Sequence, residues 1–121
     1  MPDDKITCSL KYLMNIFGGK WKLPIICILS DREPHRYSEI KRRLGDITNT
    51  MLAKSLRELE ASGFVDRQEY DEKILRVEYS LTEKGTGALP MLTAAAEWAL
   101  KEIAIENLKP YCGDCTKIKN F

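Results

Sequence analysis

A chain of 121 residues, 44% apolar and 31% charged, has room for one hydrophobic core and the residue balance of a water-exposed globule. Nineteen basic against eighteen acidic residues leave a net charge of +1, so overall charge directs the chain toward no particular partner. The longest apolar run, Leu23 to Leu29, is far short of the roughly 20 residues of a membrane helix, and the start Met1-Pro2-Asp3-Asp4 is unlike a basic secretory leader; no membrane and a cytoplasmic location are expected.

The apolar positions Ile6, Leu10, Leu13, Met14 and Phe17 repeat at helical spacing, and Gly18-Gly19 stops the pattern where a C-cap glycine belongs, giving a first amphipathic helix over about residues 6–17. The next helix runs from about Trp21 to Ser30. It is apolar nearly all round and therefore central, and Pro24 fits it only in the first turn, whose amides lack intrahelical partners. After the polar break Asp31-Arg32-Glu33-Pro34, a short helix from Tyr37 to Leu44 carries Ile40 and Leu44 on one side and Lys41, Arg42 and Arg43 on the other. Gly45-Asp46 turns the chain, Thr48 caps the following helix with Ile47 set to staple onto Leu52, and the stripe Met51, Leu52, Leu56, Leu59 continues to Gly63. Two helices joined by a few residues around a glycine make a helix-turn-helix, at about 37–62.

The period then changes. Phe64 to Tyr70 and Arg76 to Leu81 are short β-prone runs, with Val77, Tyr79 and Leu81 alternating against Glu78 and Ser80, and they read as a hairpin wing over about 64–81. Thr82 caps a last helical region over about 83–107, striped by Leu89, Leu92, Ala96, Ala99 and Ile103 and broadened by Trp98 and Ile105, more apolar surface than a small domain covers by itself. A polar tail fills 108–121. The expected fold is mainly α with a small β-hairpin, one winged helix-turn-helix domain across the chain.

Charge is unevenly spread. Between His35 and Arg57 six basic residues (Arg36, Lys41, Arg42, Arg43, Lys54, Arg57) face two acidic ones, Glu39 and Asp46, so a near-neutral chain still offers one basic face to double-stranded DNA. Thr48, Asn49, Thr50 and Lys54 project from the N-terminal half of the second helix of the motif, the part that enters a major groove, where Asn49 has the donor and acceptor to pair with adenine. Arg36, Lys41, Arg42 and Arg43 suit phosphates, which fix register without reading sequence. Arg67, Lys73 and Arg76 on the wing are candidates for an adjacent groove or backbone, although Asp71 and Glu72 beside them oppose it. The bland alternatives are capping residues, a solvated basic face and a wing charged for solubility; the alternative functions are a winged-helix protein-interaction module that does not use DNA and a regulator that senses a small ligand without thiol chemistry.

Gly18-Gly19-Lys20-Trp21, Arg36-Tyr37-Ser38-Glu39-Ile40, Leu56-Arg57-Glu58-Leu59-Glu60 and Val77-Glu78-Tyr79-Ser80-Leu81-Thr82 occur in this order and at these spacings in HxlR-type regulators, which the chain resembles over about residues 8–104. The resemblance implies a homodimer whose first and last helices pair across a twofold axis, with an inverted-repeat operator to match, and a role as repressor or activator. In several members a cysteine at the start of the first helix, matching Cys8, senses electrophiles or oxidants. The wing tip Lys73-Ile74-Leu75-Arg76 departs from the prolines usual in the family, and the tail Cys112-Gly113-Asp114-Cys115 lies outside its common pattern.

By its own surroundings Cys8 is either a sensor, since a helix N-terminus with Lys5 and Lys11 nearby favours a thiolate, or a small apolar filler like Cys27. Cys112 and Cys115 have the spacing of a redox dithiol or of half a zinc site, or have no role; with His35 the only histidine, a complete metal site has no obvious ligand set and none is assigned. Trp21, Trp98 and Tyr79 are read as core aromatics in preference to a ligand pocket. No paired carboxylates, nucleophile with its base, or phosphate loop stands out, so neither catalytic residues nor a cofactor is expected. A thiol-disulfide enzyme would carry its motif at a helix N-terminus in a βαβ unit, not in a polar tail.

Overall fold

The computed structural model describes residues 7–70, 73 and 75–106. Six helices and a three-stranded antiparallel sheet follow in the order α1 (Ser9–Phe17), α2 (Lys22–Leu29), β1 (His35–Arg36), α3 (Tyr37–Leu44), α4 (Asn49–Ala61), β2 (Val65–Tyr70), β3 (Arg76–Leu81), α5 (Glu83–Gly87) and α6 (Leu89–Ile105). This is a winged helix-turn-helix.

The core forms where the apolar faces converge. α2 is buried through Ile25, Ile26, Ile28 and Leu29, with Pro24 in its first turn, and it meets Ile40 and Leu44 of α3 and Leu52, Leu56 and Leu59 of α4. Burying each such side chain contributes about 1.5–3 kcal/mol before ordering costs. Ile47, 3% exposed between α3 and α4, joins the same cluster, so the turn of the motif is anchored from inside. α1 buries Phe17, whose ring meets that of Phe64 edge-on at 5.0 Å, and lays Leu13 and Ile16 partly buried against the same cluster.

Beyond the end of α4 and its C-cap Ser62, Gly63 takes φ +84° while its N–H bonds to the Glu60 carbonyl and the next amide, of Phe64, bonds to the Leu59 carbonyl. That reversal delivers Val65 into β2, which pairs with β3 in the register Val65↔Leu81 through Tyr70↔Arg76. β3 is central because β1 lies on its other edge, His35 opposite Tyr79 and Arg36 opposite Glu78. β1 is a third strand that two residues were too few to announce.

The last helical region is divided. Thr82 caps α5, its hydroxyl accepting from the Gly85 amide at 3.0 Å and donating to the Gly63 carbonyl at 2.6 Å, so the end of the wing is tied to the end of α4. Ala88 separates α5 from α6, and Pro90 sits in the first turn of α6, where its missing amide costs nothing. Among the described residues, no helix is long and apolar enough to cross a membrane.

Candidate nucleic-acid interface

α3 and α4 are joined through Gly45-Asp46-Ile47-Thr48. Gly45 closes α3 at φ +79°, its amide bonded to the Lys41 carbonyl at 3.1 Å, a conformation that glycine adopts without a side-chain clash. Ile47 then turns inward, and the Thr48 hydroxyl accepts from the Met51 amide at 3.1 Å, capping α4. The capped turn leaves Thr48, Asn49, Thr50 and, one turn on, Lys54 exposed together, at the end of α4 where unpaired amides and the helix dipole favour an anion.

Beside this end lie the α3 cations. Arg42 and Arg43 are exposed and Lys41 is half-buried, all in the last turn of α3 where positive charge suits the dipole. Arg43 is 4.0 Å from Glu39, a solvated pair, and Arg36 is exposed on β1.

A contact that sequence reasoning missed links the two helices. The Tyr37 hydroxyl, at the start of α3, shares its one proton between the backbone carbonyl (3.1 Å) and the side-chain Oδ1 (3.2 Å) of Asn49 at the start of α4. Burial, with the Tyr79 phenol nearby, holds the Tyr37 hydroxyl above its ordinary pKa. The signal was a phenol at the first position of the first motif helix, but nothing periodic connects positions twelve apart.

The wing arginines are engaged within the sheet. Arg67 pairs with Glu69 at 2.7 Å; the Glu69 carboxylate first, and the Tyr79 hydroxyl after it, raise its pKa further. The Arg76 guanidinium stacks 4.2 Å from the Tyr70 ring and its Nε lies 3.6 Å from Glu78. Lys73 is exposed; Asp71 and Glu72 lie outside the described residues.

Cys8 is the exposed N-cap residue of α1, and the first-turn amides of Lys11 and Leu10 hold its thiol below the ordinary value. Cys27 is half-buried in α2, and neither cysteine is in a disulfide. Cys112 and Cys115 lie outside the described residues. The three aromatics part company: Tyr79 is buried, Trp21 packs on the edge of the core with the Lys20 ammonium 4.8 Å from its ring, and Trp98, expected in the core, is 67% exposed because α6 buries only Leu89 and Leu92. An open cleft of about 460 Å³ lies instead between α1, α2 and α4, where Lys22 pairs with Glu58 at 2.9 Å and holds that carboxyl below its usual range. No cluster of three metal-ligating side chains occurs among the described residues.

The sequence pattern and the fold recur in known proteins. The HxlR-like helix-turn-helix family model matches residues 16–107. An HTH-type transcriptional regulator of Methanothermobacter thermautotrophicus is 49% identical over 98 residues, 81% of this chain and 74% of the relative. Among solved structures, the redox regulator HypR in its reduced form superposes with a TM-score of 0.77 at 34% identity, over 83% of this chain and 98% of that one. The reduced transcriptional regulator YodB of Bacillus subtilis gives 0.68 at 35% identity, over 78% and 92%.

Proposed function

The chain belongs to the HxlR-like helix-turn-helix family, whose members are transcriptional regulators, and we propose that it acts as one by binding operator DNA as a homodimer, with Cys8 tuning the affinity. The observation that carries the reading is the capped end of α4, where Thr48, Asn49, Thr50 and Lys54 stand exposed beside the cations of α3. With α4 in a major groove, these four residues face base edges, while Arg36, Lys41, Arg42 and Arg43 neutralise phosphates and release counterions.

Exposed apolar side chains at both ends of the domain support the dimer. Leu10 and Met14 on α1 and Trp98 and Ile105 on α6 are each at least 60% exposed, surface that a second copy would cover. A twofold dimer presents two α4 helices, which reach half-sites about one helical turn apart in an inverted repeat.

The thiol is the proposed signal. A solvent-facing, amide-stabilised Cys8 is a better nucleophile at neutral pH than an ordinary cysteine, and it stands on a helix of the proposed dimer interface, where an adduct or a disulfide would alter packing between copies. The likeness to a protein described as a redox regulator favours this reading.

The test is a salt-dependent titration against inverted-repeat DNA selected from a random pool, with reduced and then mildly oxidised protein. Tight, salt-sensitive binding altered by oxidation and restored to indifference in Cys8→Ser is expected. Binding that ignores oxidation leaves the regulator and removes the thiol signal; failure to select any site sinks the DNA reading.

A further inference from the structure

The Tyr37–Asn49 contact is separate from the Thr48 cap of α4. Asn49 is the first residue of α4, exposed, with its backbone amide among those that lack an intrahelical partner, a place where a carboxamide ordinarily rotates freely. Here the phenol oxygen lies 3.2 Å from Oδ1 and 3.1 Å from the carbonyl of the same residue, so the side chain is held to its own backbone through one hydroxyl. The ring supplying that hydroxyl is itself fixed, half-buried against the core at the head of α3.

From this juxtaposition we propose that Tyr37 is a positioning residue for base recognition: its hydroxyl fixes the Asn49 carboxamide in the one orientation that reads adenine. The proposal rests on the DNA-binding reading above and specifies how one of its contacts discriminates.

An amide oxygen accepts two hydrogen bonds and its NH2 donates two. Tyr37 uses one acceptor site of Oδ1, leaving one acceptor and the Nδ2 donors side by side. Adenine presents in the major groove the complementary pair, the N7 acceptor and the N6 donor. Guanine offers two acceptors there, and one of them would face Oδ1. A freely turning carboxamide escapes that conflict by rotating to offer Nδ2 alone, to guanine or to the thymine carbonyl. A clamped one escapes only by breaking the bond to Tyr37. The clamp therefore acts mainly against the wrong bases, and it spares adenine the entropy of ordering the side chain.

The experiment selects binding sites from a randomised inverted-repeat library with the full chain and with Tyr37→Phe, Asn49→Ala and the double variant, then measures affinities for the winning site and its single-base changes. Tyr37→Phe keeps the ring in the core, and its melting midpoint reports that the fold is intact. Asn49→Ala is expected to flatten preference at one position per half-site, where the full chain selects adenine. Tyr37→Phe is expected to lower the adenine preference at that same position by about three- to tenfold, as for the loss of one neutral hydrogen bond. Preference elsewhere and the salt slope should stay unchanged, and the double variant should discriminate no worse than Asn49→Ala. Unchanged preference in Tyr37→Phe, a uniform weakening at all positions, or additive losses in the double variant overturns the positioning role. So does a base other than adenine at the Asn49-sensitive position, or no sensitive position at all, while the regulator reading stands. If the full chain selects no site, both readings fall together.

Discussion

The Nε2 of His35 lies 2.9 Å from both carboxylate oxygens of Asp31, while the opposite ring nitrogen, Nδ1, is 3.0 Å from Glu39. Nε2 carries the hydrogen bonds to Asp31, whereas Nδ1 has no hydrogen-bond geometry to Glu39, and their 3.0 Å approach becomes an ion pair only when the ring is imidazolium. Burial alone pushes the His35 pKa down, but the hydrogen bond to Asp31 and the close approach of Glu39, joined by their charges, outweigh it and the net shift is upward. Other groups around the ring are Tyr79, opposite on β3, and Arg43, 4.0 Å from Glu39.

Because the folded-state pKa is raised, the stabilisation is fully present below the unfolded value of about 6.5 and is lost as pH rises through the folded value. The urea midpoint should fall across that window, and His35→Gln should flatten the dependence. Since the chain contains one histidine, its imidazole proton resonance needs no assignment; a titration midpoint below about 6.5 refutes the pairing of His35 with the two carboxylates.

Gly85 is required by space. A Cβ there would collide with the Phe64 carbonyl and approach Leu81 Cδ2 at 3.1 Å, at the junction where Thr82 ties the wing to α4. Gly85→Ala should destabilise the fold by about 1–3 kcal/mol, as overpacking does. At Gly87 the same atom meets nothing within 4 Å, and Gly87→Ala should be neutral or slightly stabilising. Equal midpoints for the two variants in chemical denaturation would refute the steric argument.

These residues also show what a sequence displays and what it hides. Thr48 and Thr82 were legible as caps because a hydroxyl three residues ahead of the amide it accepts from is a local pattern. Ile47 and Leu52 were legible as core because they bracket that cap with apolar side chains. His35 and Arg36 gave no strand signal, since alternation needs more than two residues, and their strand exists only because β3 offers an edge. Trp98 was misread because composition places a tryptophan inside, whereas α6 continues past the core that a single copy can supply. Tyr37 escaped the candidate site because its contact with Asn49 depends on how two helices cross.

The exposed apolar stripe makes the dimer testable. Trp98→Glu or Leu10→Glu places a carboxylate on surface that a single copy leaves to solvent, at 67% and 69% exposure, so neither should unfold the domain. Each should shift the sedimenting species to the mass of one chain and lose tight operator binding, because a monomer engages one half-site. Dimers that persist in both variants would exclude the α1–α6 surface as the interface.

The basic residues divide into free and committed, and the division predicts their worth on DNA. Arg42 is exposed, with no carboxylate at ion-pair distance among the described residues, so a phosphate gains its full charge. Arg76 must leave the Tyr70 ring and Glu78 before it contacts DNA, and Arg67 must leave Glu69. Arg42→Ala should weaken specific and non-specific binding alike and lower the salt slope by about one unit. Arg76→Ala should change the slope by less, since part of what a phosphate would gain is already spent inside the wing. A slope that responds more to Arg76 than to Arg42 would mean that the wing rearranges on DNA and that its internal pairs are exchanged for phosphates.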